Sequence, residues 1–304
     1  MSIKVENITK LYGKQKALDQ VSFTVEPGQV VGFLGPNGAG KSTMMKIISC
    51  FIPQTEGRVT VDGFDVNDQP VEVRRNVGYL PEHNPLYLDM YVKEFLTFVG
   101  SIQLAKADVP KRVKEMIEVT GLGPEQNKKI AALSKGYRQR VGLAQSMIHN
   151  PSVLILDEPT TGLDPNQLVE IRQLIRTIGR EKTVILSTHI MQEVEAICDR
   201  VVIINKGKIV ADDTTQLLQQ QAADQGVILV EFDKIVQEGL LKKVNGLVSA
   251  EMIRTNTWKI KGRKGTDIRQ EIFRFAAETG LSVLTLQKEE SNIESVFHQL
   301  TKEK

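Results

Sequence analysis

The sequence has little cysteine, no long apolar run and almost no net charge. Its two cysteines, Cys50 and Cys198, have no metal-ligand spacing, which argues against a disulfide framework or a zinc site and predicts a reduced, cytosolic setting. No apolar run approaches the roughly eighteen residues of a membrane span, and residues 1–6 lack the apolar core of a signal peptide. A net charge of +2 over 304 residues points to no nucleic-acid partner. We therefore expect a globular chain that does not enter a bilayer by itself.

What the chain does contain is the composition of an ordinary folded protein, with 41% apolar and 25% charged residues. Its length allows two domains with separate cores. Around residues 216–226 the composition shifts to a run of Gln, Gln, Gln, Ala, Ala, Asp, Gln and Gly, which predicts a hinge. We therefore predict one domain over residues 1–220 and a small ferredoxin-like α+β domain over residues 227–304, where short strand and helix patterns alternate.

A glycine-rich loop is the most specific motif of the chain. Its residues are Gly35, Pro36, Asn37, Gly38, Ala39, Gly40, Lys41, Ser42 and Thr43. They match the phosphate-binding pattern G-x-x-x-x-G-K-[ST] between an apolar strand and a helix. The glycines allow a tight turn that directs N–H groups inward, and the following helix adds its positive N-terminal end. Lys41 is expected to contact the β- and γ-phosphates, and Ser42 to ligate Mg²⁺. The loop predicts a nucleoside triphosphate site.

Polar side chains follow several apolar runs at the point where each predicted strand ends. Asp157 and Glu158 follow residues 153–156, His189 follows residues 183–188, and Glu82 follows residues 76–81. Apolar strands that alternate with helices predict a mostly parallel α/β sheet covered on both faces. Ligands bind at the carboxyl ends of such strands, so we expect these side chains to meet at the phosphate loop.

Each strand-end group has a chemical role in an NTP hydrolase. Asp157 is the expected carboxylate for Mg²⁺, Glu158 a general base for the attacking water, and His189 a contact to the γ-phosphate. Tyr12, ahead of the phosphate loop, fits two interpretations equally: a ring that stacks on adenine, or a half-buried strand tyrosine.

In this order and spacing the motifs resemble the ATP-binding subunit of ABC transporters over roughly residues 1–220. Tyr12 matches the aromatic residue that stacks on adenine, residues 133–139 the signature motif, residues 162–164 the D-loop, and His189 the switch histidine. The resemblance implies a P-loop NTPase core with an antiparallel β subdomain and a helical subdomain over about residues 84–150. It also implies that Ser134 and Gly136 contact the ATP bound by the opposite subunit of a head-to-tail dimer.

The resemblance further implies an ATPase that uses ATP and Mg²⁺ to drive a separate membrane permease. Its dimer partner would be a second copy or a paralogous ATPase, at the inner face of the cell membrane. Two departures concern the site. Glu82 stands where the family has glutamine, although a carboxylate is also an oxygen ligand for Mg²⁺. Lys135 and Tyr137 replace a glycine and the glutamine of the signature motif. These variations resemble export-type ATPases, and most narrowly the gliding-motility ABC ATPase of Bacteroidetes.

Three alternative functions were weighed against this interpretation. A GTPase would need a guanine-reading Asn-Lys-x-Asp, and the segment at residues 205–208 lacks the aspartate. A non-transport ABC ATPase acting on a macromolecular complex would usually carry a coiled-coil insertion or two cassettes, and neither is visible. An ATP-dependent dimerisation switch with little hydrolysis conflicts with the catalytic residues, although Glu82 leaves it open. Those residues, all present, are Lys41, Asp157, Glu158 and His189.

Overall fold

The structure is a computed structural model that describes residues 1–223, 227–263, 266–288, 294 and 296–297. It divides into two compact units, Met1–Thr215 and Gln216–Lys304. The strands of the first unit are β1 Ile3–Tyr12, β2 Gln15–Val25, β3 Val30–Leu34, β4 Glu56–Val61, β5 Phe64–Asp65, β6 Val77–Leu80, β7 Val153–Asp157, β8 Thr183–Thr188, β9 Arg200–Asn205 and β10 Lys208–Thr214. Its helices are α1 Lys41–Ile48, α2 Pro70–Asn76, α3 Val92–Gln103, α4 Val109–Val119, α5 Lys135–Met147, α6 Pro165–Ile178 and α7 Met191–Ile197.

The centre of the first unit is a six-stranded sheet in the order β10-β9-β3-β8-β7-β6. Its strands are parallel except β10, which pairs antiparallel with β9 at one edge. Every residue of β3, β7 and β8 is buried, because helices cover both faces, and this explains their uninterrupted apolar sequences. The predicted α/β class with a mostly parallel sheet is confirmed. Strands β3, β7 and β8 end at the same edge of this sheet, and polar residues lie at that edge.

A second, antiparallel sheet has the order β2-β1-β4-β5. Strands β1 and β2 form one long hairpin, although the strand pattern in the sequence is clear only at residues 3–6 and 21–25. Register shifts interrupt the pairing after Val5 and again after Ile8, so the alternation of buried and exposed residues is broken and the pattern underestimates the strands. Helix α1 packs with both sheets through Met44 and Ile47, which belong to one buried apolar cluster. The phosphate loop is thereby fixed to the core.

The second unit contains β11 Val227–Phe232, α9 Glu238–Leu241, β12 Leu247–Arg254, β13 Thr257–Gly262, α10 Arg269–Thr279 and β14 Val283–Lys288. Its sheet has the order β12-β13-β11-β14 with antiparallel pairing throughout, the βαββαβ arrangement of ferredoxin-like folds. The core includes Phe232, Trp258 and Phe275.

Residues 216–226 were predicted to be a hinge, and most of the segment is helical. Helix α8 occupies Thr215–Ala223, because Gln and Ala are good helix formers once a helix has begun. Residues 224–226 lie outside the described part of the chain.

Among the described residues, no helix has the length and apolar character needed to cross a membrane.

Candidate functional site

The phosphate loop leads directly into α1, and its conformation depends on glycine at two positions. Gly40 has φ of 111°, and a Cβ there would lie 2.6 Å from the carbonyl oxygen of Ala17. A Cβ on Gly35 would lie 2.5 Å from the carbonyl oxygen of Ile204. Both distances are too short for a side chain, and the first position also lies in the left-handed region. The loop is therefore wedged between the β1–β2 hairpin and strand β9.

Lys41, the first residue of α1, is almost completely buried at 6% exposure. Its Nζ donates to the carbonyl oxygens of Gly35, at 2.8 Å, and Pro36, at 3.3 Å. The ammonium group therefore lies inside the curve of the loop, where it can exchange these carbonyl oxygens for phosphate oxygens.

A cavity of about 610 Å³ opens above the loop. It is lined by Tyr12, Gln15, Ala17, Asn37, Gly38, Gly40, Lys41, Ser42, Thr43, Glu82, Glu158, Thr161 and His189. Most of the side chains singled out in the sequence therefore meet in one place, although they come from strand and loop segments far apart in the chain. Ser134 and Gly136 are not among the lining residues.

Glu158 is the centre of the polar contacts in this cavity. Its carboxylate lies 3.6 Å from Lys41 Nζ and 2.9 Å from His189 Nδ1, and it is only 7% exposed. The hydroxyl of Thr161 donates to the same carboxylate at 3.3 Å. The backbone of Glu158 is left-handed, with φ of 50°, a conformation that is costly for a non-glycine residue. The fold thus holds a carboxylate between a cation and an imidazole at the mouth of a phosphate loop.

Asp157 lies beside Ser42, whose Oγ donates to Asp157 Oδ1 at 3.2 Å. The aspartate is 2% exposed. Burial raises the pKa of Asp157; hydroxyl groups of Ser187 and Ser42 oppose the shift, and the negative charges of Glu158 and Glu82 add to it. A divalent cation would offset this unfavourable burial of negative charge.

The serine hydroxyl and the aspartate carboxylate are hard oxygen donors of the type that Mg²⁺ prefers, and Mg²⁺ usually takes its remaining ligands from phosphates and water. Among the described residues, no group of three or more His, Cys, Asp or Glu side chains is arranged so that it could hold a metal ion.

Glu82 and Tyr12 lie on the outer walls of the cavity. Glu82 is exposed and follows β6 at the strand's carboxyl end. Tyr12 ends β1 with 51% of its surface exposed, and Lys10 Nζ lies 5.3 Å from its ring centroid. The ring is therefore available on one side, at the entrance of the cavity, rather than packed into the core.

The signature segment, residues 133–139, forms the start of α5. Ser134 is the N-cap, and its Oγ accepts a hydrogen bond from the Tyr137 N–H at 3.4 Å. Gly136 is buried against Gln167 of α6, so that a Cβ would lie 2.6 Å from Gln167 Cδ. Lys135 Nζ occupies the space that a Cβ on Gly162 would need. The start of α5 and the D-loop therefore contact each other within one chain, and both lie outside the nucleotide cavity of that chain.

Three residues of this region were not found from the sequence. Thr161 follows Glu158 by three positions, and this short spacing was the only signal that it could contact the carboxylate. Thr160 and Glu193 form a buried hydrogen bond beneath the cavity, and their separation in sequence gave no indication of it.

Comparisons with known proteins agree with this geometry. The family model described as ABC transporter matches residues 18–161. The chain is 37% identical to the ABC transporter ATP-binding protein NatA of Bacillus subtilis, with 73% of this chain and 92% of that protein covered. It is 30% identical to the linearmycin resistance ATP-binding protein LnrL of the same organism over 98% of both chains. It is also 30% identical to the bacitracin transport ATP-binding protein BcrA of Bacillus licheniformis, over 98% and 96%.

Solved structures show the same fold. The ATP-binding cassette MJ0796, in a dimeric post-hydrolysis state with ADP and phosphate, is 28% identical with a TM-score of 0.64, and the match covers 70% of this chain and 98% of that one. CbiO1 of Clostridium perfringens, part of the CbiONQ transporter complex, is 28% identical with a TM-score of 0.66 over 72% and 91%. The phosphate loop, the strand-end carboxylates and these relatives lead to one conclusion: the chain belongs to the ATP-binding subunits of ABC transporters, which bind and hydrolyse ATP as dimers to power a membrane permease.

Proposed function

We propose that Lys41, Glu158 and His189 carry out the hydrolysis of ATP in this subunit. The observation that carries the proposal is the continuous contact from Lys41 Nζ through the Glu158 carboxylate to His189 Nδ1, at 3.6 and 2.9 Å. Glu158 accepts a proton from water as the water oxygen bonds to the γ-phosphorus and the bond to the β–γ bridging oxygen breaks. Lys41 leaves the loop carbonyl oxygens and stabilises the phosphate charge. His189 orients the carboxylate and reaches the γ-phosphate.

Ser42 and Asp157 are proposed to hold magnesium. Glu82, which lines the same cavity, is proposed to contribute a further oxygen. A magnesium ion held there would supply positive charge to offset the negative charge of the phosphates. The hydrogen bond from Ser42 to Asp157 keeps both oxygens on the same side of the cavity.

The remaining contacts to ATP are proposed as follows. The N–H groups of residues 35–43 surround the phosphates, and the half-exposed ring of Tyr12 stacks on adenine. Ser134 and Gly136 contact the ATP of the opposite subunit, which agrees with their position outside the chain's own cavity. The partner subunit is proposed to be a second copy or a paralogous ATPase.

The transported substrate is proposed to move outward. Support comes from two relatives that align over nearly the whole chain, one a linearmycin resistance protein and the other a bacitracin transport protein. The subunit would act at the cytoplasmic face of the membrane, with the permease contacting the segment from Glu82 to about residue 91, because that segment leaves the cavity at Glu82. The narrower likeness to gliding-motility ATPases stays a prediction from the sequence.

The test is to purify the tagged protein with its partners from membranes of its source and to measure ATP turnover with and without them. A multi-span permease that stimulates turnover, and that crosslinks to cysteines placed within residues 83–91, is the expected result. The same preparation identifies a paralogous ATPase if one is present. Recovery of ribosomes or DNA without any membrane protein would contradict the proposed coupling.

A further inference from the structure

Glu193, on α7, is the most deeply buried carboxyl group described in the first unit, with 0% exposure. Of the ionisable residues that the structure describes, none places a basic nitrogen within ion-pair distance of it. Its partners are hydroxyl groups: Thr160 Oγ1 donates to Oε1, and Thr188 Oγ1 donates to Oε2 at 2.7 Å. Burying a carboxyl group without a cation is costly, and the first turn of a helix offsets only part of that cost. Such a residue needs an explanation beyond packing.

The two hydroxyl groups belong to the segments that carry the groups of the site. Thr160 lies two residues after Glu158, and Thr188 directly precedes His189. Both threonines are buried, at 1% and 0% exposure. One carboxyl group thus connects the segment after β7 with the end of β8.

The Glu193 hydrogen bonds lie just beyond the point where the backbone pairing of β7 and β8 ends. Strands β7 and β8 pair up to Asp157 and Ser187, and the last backbone hydrogen bond runs from Glu158 N–H to the Ser187 carbonyl oxygen at 2.9 Å. Thr188 Oγ1 also accepts a hydrogen bond from the Ile190 N–H at 3.1 Å, which fixes the turn that contains His189. The Glu193 bridge therefore continues the coupling of the two segments past the end of the ladder.

This coupling matters because few other contacts hold the Glu158 carboxylate and the His189 imidazole together. The side chain of His189 is 44% exposed, and the backbone of Glu158 is in a costly left-handed conformation. We infer that Glu193 is a positioning residue for ATP hydrolysis: it binds Thr160 and Thr188 and so holds the Glu158 carboxylate and the His189 imidazole at hydrogen-bond distance. The inference rests on the proposed roles of Glu158 and His189. Glu193 does not touch the nucleotide cavity.

The decisive experiment compares Glu193→Ala with Glu193→Gln in the full chain, by steady-state ATPase kinetics and by ATP binding. Misplacement of a catalytic group by about 1 Å can reduce turnover by about 100-fold, so we expect a fall of that order in kcat for Glu193→Ala. KM and the Kd for ATP should change little, because the phosphate loop is untouched. Glu193→Gln retains an acceptor for Thr160 and a polar group toward Thr188, and should restore most of the turnover.

A matched control separates positioning from loss of stability. Thr120 is also completely buried, and its hydroxyl donates only within α4, to the Met116 carbonyl oxygen at 2.6 Å. Thr120→Ala should lower the melting temperature and leave kcat unchanged. If Glu193→Ala and Thr120→Ala affect kcat equally at equal stability, the inference is wrong.

If Glu193→Ala does not fold, Thr160→Val and Thr160→Ser provide the same comparison, since only serine keeps the donor. Equal turnover of these two variants would overturn the inference. Glu158→Gln identifies where a failure lies. If it abolishes hydrolysis while Glu193→Ala remains fully active, the proposed base stands and the positioning role falls. If Glu158→Gln retains turnover, the proposed function itself fails.

Discussion

Replacing Glu158 by Gln changes one charge at the centre of the site and leaves the side-chain shape almost unchanged. The substitution removes the ion pair with Lys41, in which the two groups are 3.6 Å apart and 6% and 7% exposed. At an effective dielectric constant of about 20, that separation corresponds to an attraction of about 4–5 kcal/mol. Desolvation of both groups offsets most of this attraction, so a net of about 1–2 kcal/mol is a reasonable expectation.

Glu158→Gln should change three measurable quantities: the affinity for ATP, the rate of hydrolysis and the amount of ATP-bound dimer. ATP must compete with Glu158 for the ammonium group, so the variant should bind ATP about ten-fold more tightly, which corresponds to about 1.4 kcal/mol. Loss of the general base should reduce hydrolysis by about 10²–10⁴-fold. Tight binding without turnover should then accumulate an ATP-bound dimer.

Isothermal titration calorimetry, single-turnover hydrolysis and size-exclusion chromatography with light scattering measure the three quantities. The control is Glu170→Gln, which removes the same charge from an exposed position of α6 where the carboxylate pairs with Arg140. The reasoning is refuted if hydrolysis stays within about ten-fold of wild type. A variant that remains monomeric with ATP would contradict the sandwiched dimer.

Three further substitutions test other parts of the structure. Tyr12→Ala should weaken ATP binding by about 1 kcal/mol through loss of stacking, whereas Tyr12→Phe should not, as measured by calorimetry. Gly40→Ala should abolish ATP binding and lower the melting temperature, because a Cβ would lie 2.6 Å from the Ala17 carbonyl oxygen at φ of 111°. Burial lowers the pKa of His149, so the unfolded chain binds a proton more readily below about pH 6.5. Urea unfolding should show stability falling as the pH drops through that value, and a flatter profile in His149→Gln.

Each of these has a result that would contradict it. Equal affinities of Tyr12→Ala and wild type would leave the ring as a strand residue alone. Gly239→Ala is the control for Gly40, because a Cβ there meets nothing within 4 Å, and similar losses in both variants would refute the steric argument. An unchanged pH profile in His149→Gln would mean that the imidazole, whose Nε2 lies 3.1 Å from the Val77 carbonyl oxygen, is not the group that destabilises the fold in acid.

The sequence predicted the parts of the site that are encoded locally. The phosphate loop and the carboxylates at the end of β7 each depend on residues next to one another in the chain. The meeting of Glu82, Glu158 and His189 in one cavity followed from the rule that parallel strands end at the same edge. Tyr12 ends β1 of the antiparallel sheet, and that rule does not place it. Contacts that depend on exact spacing across the fold were not predictable. Neither the pairing of Lys41 with Glu158 nor the burial of Glu193 has any local pattern.

The errors have physical causes as well. The full length of the β1–β2 hairpin has no clear signal in the sequence, because its register shifts break the alternation on which strand prediction depends. The predicted hinge over residues 216–226 relied on polarity, and a polar segment of Gln and Ala is equally compatible with a helix such as α8.

At position 158 the left-handed backbone and the catalytic chemistry favour different residues. With φ of 50°, the backbone at this position favours glycine or asparagine. Compared with these residues, glutamate destabilises the fold by roughly 1–2 kcal/mol. Drift toward either residue would relieve this backbone cost but would also remove the ion pair with Lys41, whose net contribution is of about the same size, so the subunit would keep roughly the same stability and would no longer hydrolyse ATP. An inactive paralogue is one substitution away from this chain, and stability alone would not oppose that step.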